Sequence, residues 1–317
     1  MNFQNIKPVE RYQFYLDLAF RRAQEKGKQL RMVKLTGGRL EKSRYIELMK
    51  MQVISDTLVS RMDAIGKNFP SIDNLPLFYQ ELIPLVTDLG QLKKSLAAVN
   101  WLKKAVSKFF VNYKGKLKRS RFDALAGTKR EFLGRISSLV KQVKSDFVFL
   151  EESRRKFRAF PDIRDGMKTA AIAGFPNVGK TTLLWHLTGS KAEIASYPFT
   201  TKAINVSYAD DLQVLDTPGT LDRFEKMNPI EKIAYLAIKH YAGIIVYVFD
   251  LTEPYPLEKQ IQLYKRIEKD FNPQKLIIYC SKSDILPSAT LQDFKKKFPA
   301  AVSSTEALAS LLKKKDD

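Results

Sequence analysis

A glycine-containing stretch at residues 174–182 has the residue types and spacing for binding a polyphosphate. It fits G-x-x-x-x-G-K-T, in which two glycines bracket four residues and a lysine and a threonine follow. A polyphosphate carries several negative charges, so backbone N–H groups, an ammonium group and a helix N-terminus must converge on it. Lys180 is expected to contact the β- and γ-phosphate oxygens and Thr181 to offer its hydroxyl to Mg²⁺. The candidate phosphate-binding residues are Gly174, Phe175, Pro176, Asn177, Val178, Gly179, Lys180, Thr181 and Thr182.

Two later stretches extend this pattern toward Mg²⁺ and a γ-phosphate. Residues 196–202 read SYPFTTK, and a threonine there can reach Mg²⁺ through its hydroxyl; Thr201 is our choice and Thr200 the alternative. The apolar run 212–215 leads into Asp216-Thr217-Pro218-Gly219, which places Asp216 near Mg²⁺ and leaves the Gly219 N–H free for the γ-phosphate. The candidate catalytic residues are therefore Lys180, Thr201 and Gly219, and the candidate metal ligands are Thr181, Thr201 and Asp216.

Residues 281–284, Ser-Lys-Ser-Asp, follow another apolar run and suit recognition of a base. The Asp284 carboxylate can accept hydrogen bonds from both guanine N1–H and N2–H, which adenine does not offer. The aliphatic stem of Lys282 can lie over the base plane. A backbone N–H at Ser303 or Ser304 could reach guanine O6. Together with Ser281, these residues predict a guanine nucleotide, GTP or GDP, as the ligand.

Apolar periodicity divides the chain into a helical half, residues 1–166, and an α/β half, residues 167–317. In the second half, strands alternate with helices, which predicts a doubly wound, mostly parallel sheet with its ligand loops at the C-terminal ends of the strands. The predicted strands are the apolar runs 169–173, 203–207, 212–215, 243–249, 275–280 and 300–302.

The first half predicts an antiparallel helical bundle. Residues 8–66 form two helices with a break at Gly37-Gly38, and residues 68–76 form a loop. Two long helices follow, one with an apolar stripe over residues 92–106 and one with a stripe over residues 136–150. We expect these stripes to form the core of the bundle.

Positive charge is concentrated in the helical half. Residues 1–167 hold 34 Lys and Arg against 17 Asp and Glu, a net charge of +17, whereas residues 168–317 have a net charge of +3. Three basic clusters, within residues 26–34, 114–121 and 154–158, favour a surface for nucleic-acid phosphates, with Tyr113 or Phe122 stacking on an unpaired base. A membrane surface is the weaker alternative. The candidate RNA-binding residues are Lys114, Lys116, Lys118, Arg119, Arg121, Arg154 and Arg155.

In this order the motifs resemble a known family. The strings GFPNVGKTT, YPFTTK and DTPG resemble the Obg-like branch of the translation-factor-class P-loop GTPases. The helical half that runs directly into the first strand resembles the archaeal form of the nucleolar GTP-binding protein 1 (Nog1) family. This resemblance implies hydrolysis of GTP to GDP and phosphate, a need for Mg²⁺, and a role in maturation of the large ribosomal subunit through binding to rRNA. Nucleotide state would reorder residues 193–202 and 216–230, and the helical half would respond to that change.

Three departures from the family pattern bear on activity. Ser281 replaces the usual asparagine of Asn-Lys-x-Asp, which predicts weaker affinity for guanine. Thr220 follows the DTPG motif where Ras-like enzymes place a water-orienting glutamine, which predicts slow hydrolysis without a stimulating partner. The chain also ends soon after Ser304, without the long C-terminal extension of the eukaryotic relatives. Two roles stay open for Asn177: it helps to hold K⁺ beside the phosphates, as in some Obg-like relatives, or it stabilises the loop.

The composition argues against several other classes of protein and of metal site. One cysteine and two histidines argue against a disulfide framework and against a Cys or His metal cluster. We find neither a membrane-length apolar run nor a signal-peptide pattern, so we expect a cytoplasmic, monomeric protein without stable membrane association. Two alternatives to a GTPase switch remain: an RNA-binding assembly factor that holds GTP structurally with little turnover, and a membrane-associated GTPase.

Overall fold

A computed structural model describes residues 3–160, 163–164, 166–189, 205–209, 211–217, 227, 229–252 and 255–313. The chain divides into two compact units. The helical unit comprises Gln4–Asn74 and Thr87–Arg158. The sheet unit comprises Phe3, Leu75–Val86 and the described residues from Ala159 onward. This grouping departs from the linear division at residue 166, because one short helix from the first half belongs with the sheet.

Five helices build the helical unit, and the predicted apolar stripes form its core. Leu102, Val106, Ile136, Val140 and Leu150 are fully buried. The predicted break at Gly37-Gly38 separates the first two helices, and the Glu41 carboxylate accepts a hydrogen bond from Gly38 N at 2.9 Å. The helices of this unit are α1 (Tyr12–Met32), α2 (Arg39–Asn68), α4 (Leu89–Arg119), α5 (Leu125–Gln142) and α6 (Lys144–Arg158).

The stripe over residues 136–150 belongs to two helices, so the prediction of one continuous helix there is wrong. Val143 separates α5 from α6 and has φ −98° and ψ 20°, outside the helical range. Its side chain is nevertheless buried, together with Val140 and Phe147 on either side. The apolar spacing therefore continues through the break, which explains why periodicity alone missed it.

A helix that the periodicity analysis also missed, α3 (Leu77–Val86), follows the predicted loop and belongs to the sheet unit. Its residues Phe78, Tyr79, Leu82 and Ile83 are all at most 1% exposed. The short length of the helix and Pro84 within it obscured the pattern. The burial of four large apolar side chains attaches α3 firmly to the sheet unit.

Within the described residues of the sheet unit, five strands form one sheet in the order β2-β3-β1-β4-β5. Only the β2–β3 pair is antiparallel. Every residue of β3 and β4 is buried, as expected where helices cover both faces of a mostly parallel sheet. The strands are β1 (Lys168–Ala173), β2 (Asn205–Ala209), β3 (Leu212–Asp216), β4 (Ile244–Asp250) and β5 (Lys275–Ser281). The mixed, mostly parallel α/β architecture is thereby confirmed.

In the described part of this unit, five further helices lie between and after the strands: α7 (Lys180–Thr188), α8 (Pro229–Tyr241), α9 (Leu257–Phe271), α10 (Ser288–Lys297) and α11 (Thr305–Lys313). The predicted strand at 300–302 is not a full strand. It is reduced to one parallel bridge between Tyr279 and Val302, held by the hydrogen bonds Cys280 N to Val302 O and Val302 N to Ile278 O. Among the described residues, none of the helices combines the length and apolar character needed to cross a membrane.

Candidate functional site

The loop between β1 and α7 lies at the C-terminal edge of the parallel strands, where α/β sheets bind ligands. Its backbone is left-handed at Asn177 (φ 61°) and Gly179 (φ 91°), and Gly174 also has a positive φ, 147°. A Cβ atom at Gly174 would lie 2.7 Å from the carbonyl oxygen of Val248 in β4, so a side chain there would collide with the backbone of the sheet. The glycines of the motif therefore meet a steric requirement.

Lys180 is the first residue of α7, and its ammonium lies inside the loop. Its Nζ donates a hydrogen bond to the carbonyl oxygen of Phe175 at 2.6 Å, and the residue is 7% exposed. Burial lowers the pKa of Lys180 to about 8, while the nearby Asp216 carboxylate acts in the opposite direction. A phosphate anion bound in the loop would stabilise the charged ammonium and raise this pKa again.

Thr181 and Asp216 are brought together by the pairing of β1 with β3. Ile172 is the register partner of Asp216, and the Thr217 hydroxyl donates to the Ile172 carbonyl at 2.8 Å. The Thr181 hydroxyl donates to Asp216 Oδ2 at 2.9 Å. A hydroxyl and a carboxylate next to a phosphate-binding loop are hard oxygen donors, which fit Mg²⁺.

The predicted base-recognition residues begin where β5 ends. Ser281 is buried, and its hydroxyl donates to the Phe249 carbonyl at 3.1 Å. Its Cβ lies 3.7 Å from the position that a Cβ on Gly179 would take, so the serine side chain lies against the phosphate-binding loop. Lys282 has a left-handed backbone (φ 51°), and Asp284 is exposed. The exposed carboxylate is accessible to a base.

A buried carboxylate that sequence reasoning missed, Asp250, supports Lys282 from the end of β4. Lys282 Nζ lies 2.6 Å from Asp250 Oδ2, and Thr252 donates to Asp250 Oδ1 from both its N–H and its hydroxyl. Burial raises the pKa of Asp250, but Lys282 and Thr252 outweigh it, so the net pKa is lowered. An aspartate directly after the predicted strand 243–249, at the ligand edge of the sheet, was the available signal.

Gln260 of α9 holds the end of β4 in place. Its side chain amide donates to the Asp250 carbonyl at 2.8 Å and accepts from Asp250 N at 3.0 Å. The Tyr247 hydroxyl donates to the Gln260 carbonyl at 2.7 Å. Because Gln260 is almost completely buried, this network fixes the backbone from which Asp250 reaches Lys282.

Ser303 and Ser304 follow the bridge at Val302 and lie beside the predicted base-recognition residues 281–284. The Ser283 hydroxyl donates to the Ser303 carbonyl at 3.1 Å, which joins the two predicted base-contacting segments. The Ser304 hydroxyl accepts from Ala307 N at 3.1 Å and caps α11. Thr200, Thr201, Pro218, Gly219 and Thr220 lie outside the described residues, so their predicted roles stay predictions.

Comparison with known proteins identifies both halves of the chain. The NOG1 N-terminal helical domain matches residues 3–164, and the 50S ribosome-binding GTPase family matches residues 169–282. The chain belongs to the Nog1 family. The family resemblance of the motifs is thereby confirmed, and the protein is a GTP-binding member of this family with a P-loop GTPase domain.

Proteins similar to this Nog1-family chain include one from an archaeon, one from a yeast and one from T. maritima. An uncharacterized protein of Methanocaldococcus jannaschii is 36% identical over 84% of this chain and 77% of its own length. The nucleolar GTP-binding protein 1 of Kluyveromyces lactis is 31% identical over 94% of this chain, which spans only 47% of the yeast protein. The G domain of the FeoB iron transporter of T. maritima is 26% identical, with a TM-score of 0.36, over 46% of this chain and 96% of that domain. The chain thus spans about half the length of the eukaryotic relatives.

The predicted RNA-binding residues fall in the Nog1 helical domain but not all on its surface. Lys114, Lys118, Arg119 and Arg121 are exposed. Lys116 is also exposed and forms an ion pair with Glu131. Because these residues lie at or just after the C-terminal end of α4, this segment remains a candidate RNA-binding surface.

Two of the predicted RNA-binding residues, Arg154 and Arg155, both bind a carboxylate of the helical unit. Arg154 is buried, donates two hydrogen bonds of 2.7 Å to the Glu151 carboxylate and lies 3.4 Å from the Ile6 carbonyl oxygen. Arg155 is exposed but binds the same carboxylate at 2.9 Å. Burial raises the pKa of Glu151, but the two arginines and Val9 N outweigh it and lower the pKa to about 2. The surface role predicted for Arg154 is therefore corrected to a buried ion pair.

Stacking of a base on Tyr113 is also excluded by burial. Tyr113 packs inside the unit, with ring centroids 6.2 Å from Phe109 and 5.5 Å from Phe132. Phe122, the second aromatic of that prediction, is 49% exposed, with the Arg39 guanidinium 5.1 Å from its ring centroid. Phe122 alone of the two is accessible from solvent.

Proposed function

We propose that this Nog1-family protein hydrolyses GTP to GDP and phosphate as a switch in maturation of the large ribosomal subunit. In this proposal, residues 167–317 bind and hydrolyse GTP, and the basic helical domain, residues 1–166, docks on rRNA. The observation that carries the proposal is the contact of Thr181 with Asp216 beside the buried Lys180, since it joins two Mg²⁺-type ligands to a phosphate-binding loop. The name of the family that matches residues 169–282, a 50S ribosome-binding GTPase, supports the ribosomal role.

The residues of the chain act by positioning and by charge. Lys180 and the backbone N–H groups of the loop bind the β- and γ-phosphates and neutralise their charge. Thr181 and Asp216 would hold Mg²⁺, which when bound neutralises charge on the β- and γ-phosphate oxygens. Asp284 and Lys282 orient the guanine base, and Asp250 orients Lys282. A water molecule attacks the γ-phosphorus in line with the bond to the leaving GDP oxygen.

Slow turnover without a partner is part of the proposal. Thr220 has no carboxamide with which to orient the attacking water, and a ribosomal partner would supply the missing group. We propose that the protein works in the cytoplasm as a monomer with the large subunit or its precursor. Asn177 retains a second proposed role, holding K⁺, although its left-handed backbone already favours an asparagine at this position.

A structural role for GTP is the competing function, and Ser281 favours it. The Ser281 hydroxyl binds the Phe249 carbonyl, a backbone group of β4, and a serine is too short to support as much of the loop as the asparagine of the family pattern. Weaker guanine binding with little turnover would fit an assembly factor that carries GTP as part of its structure.

Single-turnover hydrolysis of GTP with and without large ribosomal subunits separates the two functions. A rate that rises when subunits are added supports the switch. Absence of turnover in both conditions, with GTP still bound, supports the structural role. The Lys180→Ala variant, which loses the phosphate-binding charge, provides the baseline for contaminating activity.

Potassium is tested in the same assay by comparing KCl with NaCl at equal ionic strength. The Asn177→Gly variant is the matched control, because glycine adopts the left-handed backbone and removes only the side chain. Stimulation by K⁺ that disappears in Asn177→Gly supports the ion-binding role. Equal rates in the two salts leave loop conformation as the role of Asn177.

A further inference from the structure

Helix α4 of the helical unit is strongly basic and contains no acidic residue. Nine of its 31 residues are Lys or Arg and none is Asp or Glu, whereas α1, α2, α5 and α6 each contain at least one carboxylate. Neighbouring cations at i,i+4 spacing, such as Lys104 and Lys108, repel each other and do not stabilise the helix. A bound polyanion would remove this repulsion.

The helix has one buried face and one exposed line. The buried face includes Leu92, Val99, Leu102 and Val106. On the opposite side, residues that are seven or four positions apart project in nearly the same direction. At 1.5 Å per residue, this exposed line of α4 extends over roughly 38 Å. Its members are Lys94, Trp101, Lys108, Asn112 and Arg119, all exposed.

The cations on this line, and Lys104 beside it between Trp101 and Lys108, are available to a ligand. Lys103 binds Asp63 and Lys116 binds Glu131, and both lysines lie off the line. Within the part of the chain that the structure describes, no carboxylate forms an ion pair with Lys94, Lys104 or Lys108, nor with Arg119. The exposed line therefore offers positive charge that no carboxylate of the described residues neutralises.

Trp101 occupies the line among these cations and is 46% exposed. A single exposed aromatic residue is common on protein surfaces and says little by itself. Lys94 lies two turns before Trp101 on the same line, and Lys104 and Lys108 lie one and two turns after it. This arrangement matches single-stranded nucleic-acid sites, in which an aromatic ring stacks on a base and cations contact the phosphates beside it.

We propose that the exposed line of α4 binds an RNA segment with an unpaired base, which stacks on Trp101 while Lys104 and Lys108 contact the adjacent phosphates. The inference rests on the RNA docking in the proposed function and adds the surface and the kind of RNA. A continuous A-form duplex keeps its bases stacked inside the helix and cannot offer one to Trp101, whereas a bulge or loop can. None of these residues was among the sequence-predicted RNA contacts except Arg119.

Tryptophan fluorescence of the full chain tests the stacking. The protein has two tryptophans, so the Trp185→Phe background leaves Trp101 as the single reporter. The probes are an RNA hairpin with a one-nucleotide bulge and a fully paired RNA of the same length and charge. We expect quenching of Trp101 with the bulged RNA only, and about tenfold weaker binding of that RNA by Trp101→Leu. Trp101→Phe should retain most of the affinity. Val111→Ala, which alters another exposed apolar site on α4, should leave the affinity for both RNAs unchanged.

Charge removal should affect the two RNAs equally. Lys104→Gln combined with Lys108→Gln should weaken binding of both RNAs and lower the slope of log K against log salt by about 1.4 to 1.8, or 0.7 to 0.9 for each lost phosphate contact. Lys42→Gln with Lys141→Gln, which removes two exposed lysines from α2 and α5, is the matched control and should leave the slope unchanged.

The outcomes separate this inference from the proposed function. If wild-type protein binds RNA but Trp101→Leu binds the bulged hairpin equally well, the stacking site is wrong and RNA docking stands. If wild-type protein binds neither RNA, the RNA docking of the proposed function fails and this inference with it. Quenching by vesicles of phosphatidylcholine and phosphatidylserine without quenching by RNA would assign the line to a membrane surface and also overturn the proposal.

Discussion

At the scale of single residues, burial determines what the site can do. Lys180 is enclosed by the loop and donates a hydrogen bond to a carbonyl oxygen, so its charge is only partly stabilised. Asp250, although fully buried, keeps its charge because Lys282 and Thr252 contact both carboxylate oxygens. The two charges are therefore stabilised differently. The charge of Lys180 needs a bound phosphate for full stabilisation, whereas the charge of Asp250 is stabilised by the protein itself.

Proton uptake on nucleotide binding follows from the lowered pKa of Lys180. With a pKa of about 8, Lys180 is about half deprotonated at pH 8 in the nucleotide-free protein, and phosphate binding returns it to the charged form. We expect uptake of about half a proton per Mg²⁺·GTP at pH 8 and much less at pH 6.5, with affinity falling as the pH rises above 8. Calorimetry in buffers of different ionisation enthalpy measures this uptake.

Lys180→Arg is the control for that experiment, because a guanidinium stays protonated throughout this pH range. The difference in uptake between wild type and Lys180→Arg should disappear at pH 6.5. Equal uptake by both proteins at pH 8 would contradict the assignment to Lys180.

Selectivity for guanine is a second prediction at this scale. Asp284 accepts hydrogen bonds, and xanthine presents a carbonyl oxygen where guanine has its N2 amino group. Asp284→Asn should therefore lose affinity for GTP by at least about tenfold, the loss expected for a charge-assisted hydrogen bond, and gain affinity for XTP. Competition of GTP, XTP and ATP against a fluorescent nucleotide measures both changes. Unchanged GTP affinity would remove Asp284 from the base site.

At the scale of elements, α3 and α8 are joined by an apolar contact and by an ion-pair cluster. The Phe78 ring lies 5.3 Å from the ring of Tyr241. Glu81 binds Lys239 at 3.0 Å and lies 3.3 Å from His240 Nε2. Burial raises the pKa of Glu81, but its two partners outweigh this and lower the net pKa. The predicted switch segment, residues 216–230, runs into the start of α8, so α3 packs against the helix that follows this segment.

The apolar part of this contact should dominate its stability. Phe78 is 1% exposed, so Phe78→Ala should lower the free energy of unfolding of the sheet unit by about 3–5 kcal/mol. Glu81→Gln removes a largely exposed, solvent-screened charge and should cost less than about 1 kcal/mol. Urea unfolding followed by the fluorescence of Trp185 in a Trp101→Phe background reports on the sheet unit. A larger loss in Glu81→Gln than in Phe78→Ala would contradict this ranking.

At the scale of the whole molecule, charge is divided between two chemically different halves. Residues 1–167 have a net charge of +17 and residues 168–317 a net charge of +3. The excess lies in the half that matches the NOG1 N-terminal helical domain, and the nucleotide site lies in the half that matches the GTPase family. Long-range attraction to a polyanion therefore depends on the helical half.

Salt should weaken RNA binding far more than nucleotide binding. With five or more phosphate contacts, affinity for rRNA should fall by at least about a hundredfold between 50 and 200 mM KCl. Affinity for GTP, measured in the same buffers, should fall much less, because the phosphates are held in a closed loop by Lys180 and backbone N–H groups. Equal salt dependence of the affinities for RNA and GTP would contradict the assignment of RNA binding to the helical half and nucleotide binding to the other half.

Local motifs were sufficient to predict the fold class and to select the candidate phosphate-binding loop. The lysine, threonine and glycines of residues 174–182 are adjacent in the chain, so their spacing already specifies the loop. The mostly parallel sheet also follows from alternating apolar runs and helices, whereas the strand order β2-β3-β1-β4-β5 was not predicted. Asp250 was missed although its position was visible, because a lone aspartate has no meaning until Lys282, which is 32 residues away in the chain, is known to lie within 2.6 Å.

Amino-acid order alone therefore determines the candidate phosphate-binding loop, the alternation of strands and helices, and the concentration of positive charge in the first half, since each is a local property of the chain. Three-dimensional packing decides which charged and aromatic side chains remain accessible. Arg154 and Tyr113 belong to basic or aromatic clusters in the sequence but are buried, whereas Trp101 is exposed between lysines on α4. The physical reason is that accessibility depends on neighbours from other helices, which bury one face of each helix and leave the other to solvent.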